Sequence, residues 1–194
     1  KPMPVGKKFC EATVGPDGNI YFEDMADGNV YIWDPNGMKP VDKMPVGKAV
    51  CGIAWTKNLK KAYVSDMPQG IVYVIDWKTK KTVKEIKDPE MTFLHQIKMA
   101  PDNRYLWGSA PNEFDPGLKP GTHKSQIVLI ETKTDKVVDH IVLPDDVRPH
   151  DFEFTPDGKS VLLAARTYNN DSILAVMDLK TKQITQKVSA CYAC

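Results

Sequence analysis

The stretch Arg148-Pro149-His150-Asp151-Phe152-Glu153-Phe154-Thr155-Pro156-Asp157-Gly158-Lys159 decides the fold. It runs through a short strand-like segment and closes on a Pro-Asp-Gly turn. Pro presets φ for the first turn position, and Asp and Gly accept the left-handed angles that follow. The same plan occurs three times upstream. Phe9-Cys10-Glu11-Ala12 precedes Gly15-Pro16-Asp17-Gly18, Val50-Cys51-Gly52-Ile53 precedes Thr56-Lys57-Asn58-Leu59, and Leu94-His95-Gln96-Ile97 precedes Ala100-Pro101-Asp102-Asn103. Ala190-Cys191-Tyr192-Ala193 starts it once more. The second position holds Cys10, Cys51, His95, His150 and Cys191, at spacings of 41, 44, 55 and 41 residues. A period of roughly 40–45 residues is that of a four-stranded propeller blade.

Each unit continues in the same way. A second strand follows the turn, as in Lys61–Ser65 and Lys159–Ala164. A third is rich in Val and Ile and ends on an acid, as in Ile71-Val72-Tyr73-Val74-Ile75-Asp76. A fourth, more polar strand closes the unit, as in Thr82–Ile86 and Ile184–Val188. β-Branched and aromatic residues in short runs between turn signals argue for strands. No segment keeps apolar residues at helical spacing, so no helix is predicted. Charge on the fourth strand suits an outer edge. The expectation is an all-β propeller of four-stranded antiparallel blades at about 8–46, 49–87, 93–143 and 148–188, four blades of a larger, seven-bladed ring. Residues 189–194 would begin a fifth blade or a c-type haem domain.

Composition narrows the function. With 26 basic and 25 acidic residues the net charge is +1, which makes no case for nucleic acid. No apolar run is long enough to span a bilayer. There is no P-loop and no dinucleotide fingerprint. The tryptophans occupy unrelated repeat positions and read as packing.

With the units laid out, the chain resembles the YVTN-type β-propeller repeat family. Arg148–Lys159 is the closest match to its Pro-His-Gly-Ile-Ala-Phe-Ser-Pro-Asp-Gly-Lys pattern, and Lys61-Ala62-Tyr63-Val64-Ser65-Asp66 matches its Tyr-Val strand. In this respect it is similar to the haem-binding propeller of cytochrome-type nitrite reductase and to propeller subunits of periplasmic redox enzymes. The resemblance implies a propeller of an exported redox protein, periplasmic or extracellular, that holds or caps haem or copper at the channel mouth and supports electron transfer. It also implies a protein partner or an additional cytochrome domain, and leaves open whether the chain is itself part of an oxidoreductase. The chain departs from the pattern where Cys10, Cys51 and Cys191 replace the expected His.

Around an axis, equivalent positions form a ring. Cys and His together suit copper, zinc or haem iron. His95 and His150 keep the family residue and are the leading metal ligands, with Cys10 and Cys51 beside them. The alternative is that the ring is packing, because Cys is small and easily buried. A Cys10–Cys51 disulfide is not expected, since neighbouring blades should hold the Cα atoms farther apart than the roughly 7 Å a disulfide spans. Cys191 and Cys194 form a C-x-x-C that lacks only a following His to be a c-type haem attachment. Arg166 beside the His150 strand could bind a haem carboxylate or an anion.

The third unit is longer than the others, and its surplus falls in the Pro- and Gly-rich loop from Pro111 to Lys124, which contains His123. Long propeller loops contact partners or cover sites. Asp24 and Asp66 end matching second strands and should accept turn hydrogen bonds. His140 is expected at the surface. The rival function is a non-catalytic scaffold for protein docking. A six-bladed hydrolase is disfavoured, because its calcium site needs oxygen ligands and this ring offers sulfur and nitrogen.

Overall fold

The computed structural model describes residues 6–111, 124–167 and 169–191. They form sixteen strands in four antiparallel sheets, and no helix occurs among them. Blade one is β1 (Phe9–Val14), β2 (Ile20–Asp24), β3 (Asn29–Asp34) and β4 (Lys39–Pro45). Blade two is β5 (Val50–Trp55), β6 (Lys61–Asp66), β7 (Ile71–Asp76) and β8 (Lys81–Lys87). Blade three is β9 (Ile97–Met99), β10 (Tyr105–Ala110), β11 (Gln126–Glu131) and β12 (Lys136–Val142). Blade four is β13 (Arg148–Phe154), β14 (Ser160–Arg166), β15 (Ser172–Asp178) and β16 (Ile184–Cys191). Within each sheet the strands lie in chain order. The first strands β1, β5 and β9 touch one another in turn, and β13 packs on β10. This is a β-propeller with four blades.

The hydrophobic core is divided among the seams between blades. Tyr21, Val30, Ile32 and Met44 of blade one meet Val50, Ile53, Ala62, Val64 and Ile75 of blade two. Tyr63, Val72 and Val74 of blade two meet Leu94, Ile97, Leu106 and Val128 of blade three. Trp107, Ile127 and Leu129 of blade three meet Phe152, Val161, Leu163 and Met177 of blade four. Alternation along each middle strand sends neighbouring side chains to opposite seams. The outer strands carry the charge: most of β4 and β8 is exposed, and one residue of each, Met44 and Ile86, turns inward.

The turns follow the sequence. The tight turn after the first strand puts Gly18, Leu59, Asn103 and Gly158 at positive φ, one per blade. Where blades meet, glycine is required more strictly. Gly70 has φ +57°, and a Cβ there would strike the carbonyl oxygen of Met91. Asp24 and Asp66 act as expected: Asp24 accepts from the amides of Lys7 and Ala26 at 2.5 and 2.6 Å, and Asp66 accepts from Lys48 N at 2.7 Å.

Blades two and three are also joined by a polar clasp. The Lys61 ammonium donates to both Asp135 carboxylate oxygens at 2.8 and 2.7 Å and to Thr132 O at 3.0 Å. The Tyr63 hydroxyl donates to Asp135 Oδ1 at 2.7 Å. His140 lies on the outer strand β12 and is half-buried there. Its Nδ1 lies 3.0 Å from Gln126 Oε1 and its Nε2 3.4 Å from Asp88 Oδ1, with the side chain 20% exposed.

Candidate functional site

The four ring residues share a local cause. In β1 the ladder pairs Phe9 with Asp24 and Glu11 with Glu23, so Cys10 is skipped. In β5 Val50 pairs with Asp66 and Gly52 with Ser65, so Cys51 is skipped. In β13 Pro149 pairs with Ala165 and Asp151 with Ala164, so His150 is skipped. Ahead of β9 two residues face one: His95 N donates to Ser109 O and Ser109 N to Gln96 O, both at 2.8 Å. Each ring residue therefore sits at a β-bulge, a device that re-aims a side chain and bends the strand.

The bulges bring the ring together. Cys10 and Cys51 form a disulfide with Cα atoms 5.1 Å apart. This corrects the sequence expectation. The bulge in each first strand, close to the axis where β1 and β5 touch, brings the two backbones within disulfide reach. Cys51 is fully buried, and its Sγ lies 3.9 Å from His95 Nε2. The His95 and His150 rings follow at a centroid distance of 3.9 Å, tilted by 46°. Burial, and then the neighbouring His150, lower the His95 pKa to about 4. Its imidazole is neutral at pH 7.

Two serines hold the ring from behind, and neither is apparent from the sequence alone. Ser65 Oγ donates to His95 O and Ser109 Oγ to His150 O, each at 3.1 Å. Blade one has Glu23 at the corresponding register position, opposite Glu11 as Ser65 is opposite Gly52. Glu23 is fully buried, and among the described residues neither carboxylate oxygen has a partner. Burial, and then the charge of Glu11, push its pKa well above the ordinary carboxylate value.

Next to the ring runs a polar shelf. The Gln96 side-chain amide donates to Glu11 Oε2, crossing from blade three to blade one. Gly52 makes the crossing feasible, since a Cβ there would lie 2.6 Å from Gln96 Oε1 and 3.2 Å from Ile97 N. Burial raises the Glu11 pKa, and the hydrogen bond from Gln96 offsets part of that rise. Lys98 links blades three and four through Asp151 at 3.2 Å and Glu153 at 2.8 Å. Glu11, Gln96, Lys98 and Glu153 border a cavity of about 580 Å³ along the first strands.

Arg166 and Cys191 make no contact with the ring that the ladders show, though Arg166 stands close to it along the blade. Arg166 ends β14 opposite Arg148 in the ladder of blade four. The backbone of Cys191 pairs with Ser172 in β15, so Cys191 closes the outer strand of blade four, three strands from His150. The C-x-x-C reading falls on the Cys191 side chain and on Cys194, and the loop reading falls on 112–123 with His123. Both lie outside the described residues.

The fold and ring define a propeller with a sulfur and imidazole cluster beside its axis. The chain belongs to the Cytochrome D1 heme domain family, whose model matches residues 9–192. It is similar in fold to Kuenenia stuttgartiensis Hydrazine Synthase, with a TM-score of 0.76 at 20% identity over 98% of this chain and 52% of that one. It is also similar to the β-propeller domain of Myceliophteria thermophila Cps50 (Swd1), with a TM-score of 0.68 at 15% identity over 98% of this chain and 57% of that one. The chain thus spans about half the length of these two structures. No curated protein sequence matches it.

Proposed function

We propose that this chain is the propeller part of an exported redox protein, holding or capping haem at the end of the channel where His95 and His150 meet. Family membership and the paired imidazoles support this reading. The donor chemistry fits, because imidazole nitrogen is a common axial ligand of haem iron and burial keeps His95 in the neutral form that can coordinate. Haem, when bound, supplies one-electron redox chemistry. The protein's own residues hold the imidazoles in place: the bulges aim them, and Ser65 and Ser109 fix their backbones. Arg166 is the residue proposed for a haem carboxylate. Copper is the other cofactor of this reading: imidazole suits it too, and while the disulfide is closed Cys10 and Cys51 add no thiolate.

The YVTN-type repeat, the c-type attachment at Cys191 and Cys194, and a partner subunit or cytochrome domain belong to the same reading. So does export, which the disulfide supports because such bonds persist in oxidising compartments. No helix among the described residues is long and apolar enough to cross a membrane. The test is the visible spectrum of the full protein, as isolated and after dithionite, for wild type, His95→Ala and His150→Ala. Loss or shift of the haem bands in either variant is expected. Unchanged bands in both would overturn the assignment of these histidines.

A further inference from the structure

The disulfide closes on a third donor. One ligand atom each from Cys10, Cys51 and His95 lie within 4.8 Å of one another. They come from three consecutive blades, and each sits at a bulge on or beside a first strand. Zinc bonds thiolate at about 2.3 Å and imidazole at about 2.0–2.1 Å, so tetrahedral donors stand roughly 3–4 Å apart. The Cys51 Sγ to His95 Nε2 distance of 3.9 Å is already close to that spacing. The sulfur–sulfur bond holds Cys10 and Cys51 too close together to share an ion.

We propose that reduction of the Cys10–Cys51 disulfide opens a three-ligand site, two thiolates and the His95 imidazole, for a thiophilic cation such as zinc or cuprous copper. The reductant is a dithiol. It gives up two electrons and two protons and closes its own disulfide, while the Cys10–Cys51 bond breaks and each sulfur gains one electron and one proton. On metal binding the two thiols release those protons, and both sulfurs bond the cation. Three protein ligands leave a fourth position open to water or an exogenous ligand. The His150 ring lies against His95 at a centroid distance of 3.9 Å, tilted by 46°. The oxidised form is a covalent staple between blades one and two, and the reduced form is a metal centre at the same place. The site takes over the His95 imidazole that the haem reading also uses, so the two compete for it, and Cys51→Ser, which leaves both histidines, separates them.

The test uses the full protein and Zn2+ alone. Wild type and Cys51→Ser are reduced anaerobically with dithiothreitol, freed of reductant, equilibrated with Zn2+ and passed through a desalting column. Zinc content is then measured. Reduced wild type should hold one more equivalent than reduced Cys51→Ser, whose remaining thiols report any background, and oxidised wild type should lack that equivalent. Zinc-edge X-ray absorption of the extra ion should show two sulfur ligands, in a signal that haem iron does not obscure. His95→Asn keeps both cysteines and should weaken the site roughly tenfold or more, at least the loss seen on removing supporting groups around a metal. Equal zinc in reduced wild type and reduced Cys51→Ser would overturn the proposal. So would equal zinc before and after reduction, or unchanged affinity in His95→Asn. The haem bands of wild type and Cys51→Ser, which keep both histidines, report separately on the channel reading.

Discussion

Replacing Glu23 by Gln should stabilise the protein at neutral pH. The Glu23 side chain is fully buried, and neither oxygen has a partner among the described residues. Its counterparts Ser65 and Ser109 are neutral and hydrogen-bonded to carbonyls. Below the ordinary glutamate value of 4.5 both folded and unfolded chains carry the proton, and Glu23 costs nothing through ionisation. Above it the unfolded chain ionises while the folded one resists. Stability contributed by the neutral acid is then lost at about 1.4 kcal/mol per pH unit until the folded pKa is passed. Over the roughly 2.5 pH units between 4.5 and pH 7 that slope sets a ceiling of about 3.5 kcal/mol, so Glu23→Gln should gain up to that amount at pH 7 and almost nothing at pH 4. For a domain of this size each kcal/mol moves the melting temperature by roughly 2–4 °C. Circular dichroism melts of both proteins at pH 4 and pH 7 give the answer. An equal gap at the two pH values, or a wild type more stable than the variant at pH 7, would refute the reasoning.

Further predictions follow from other contacts. Reducing the Cys10–Cys51 disulfide in the absence of metal removes the closure of a 41-residue span, and should cost roughly 4 kcal/mol, read as a fall in melting temperature with dithiol. Gly70→Ala places a Cβ against Met91 O at positive φ and should cost on the order of 1–3 kcal/mol, seen as a lower urea midpoint at unchanged slope. Tyr63→Phe removes one hydroxyl from the Asp135 clasp and should cost about 0.5–1.5 kcal/mol in the same assay, with the Lys61 pairing retained. The His95 ring should titrate near pH 4 by proton NMR of the diamagnetic protein, and a midpoint near 6.5 would contradict its burial.

The blades were legible because their signals are local. Alternating Val and Ile between Pro-Asp-Gly or Lys-Thr turns specifies short strands, and the repeat of Cys or His gives their phase. Strand ends shifted by a residue or two, and the first strand of blade three shrank to Ile97–Met99, leaving His95 just ahead of it. The ring was legible as a set of positions but not as a geometry. A bulge is a relation between two strands, and nothing in Phe9-Cys10-Glu11 alone reveals that the ladder skips Cys10. The disulfide was missed for that reason. Ser65 and Ser109 were missed because their partners are carbonyls on the next blade, a contact set by the seam. His140 reads as a surface residue until Asp88 and Gln126 are seen to flank it. Gly52 could have been noticed, since it stands where the other units carry Glu11, Gln96 and Asp151.

The bulges separate architecture from chemistry. Because Cys10, Cys51 and His150 are each skipped by the ladder, their side chains contribute little to sheet pairing. The ring can hold sulfur in two blades and nitrogen in the next two without rebuilding any strand. A propeller of this construction is a holder with interchangeable inserts. Exchanging Cys for His at one insert should alter what the axis binds while leaving every blade in register, so new ligand sets could be explored one blade at a time.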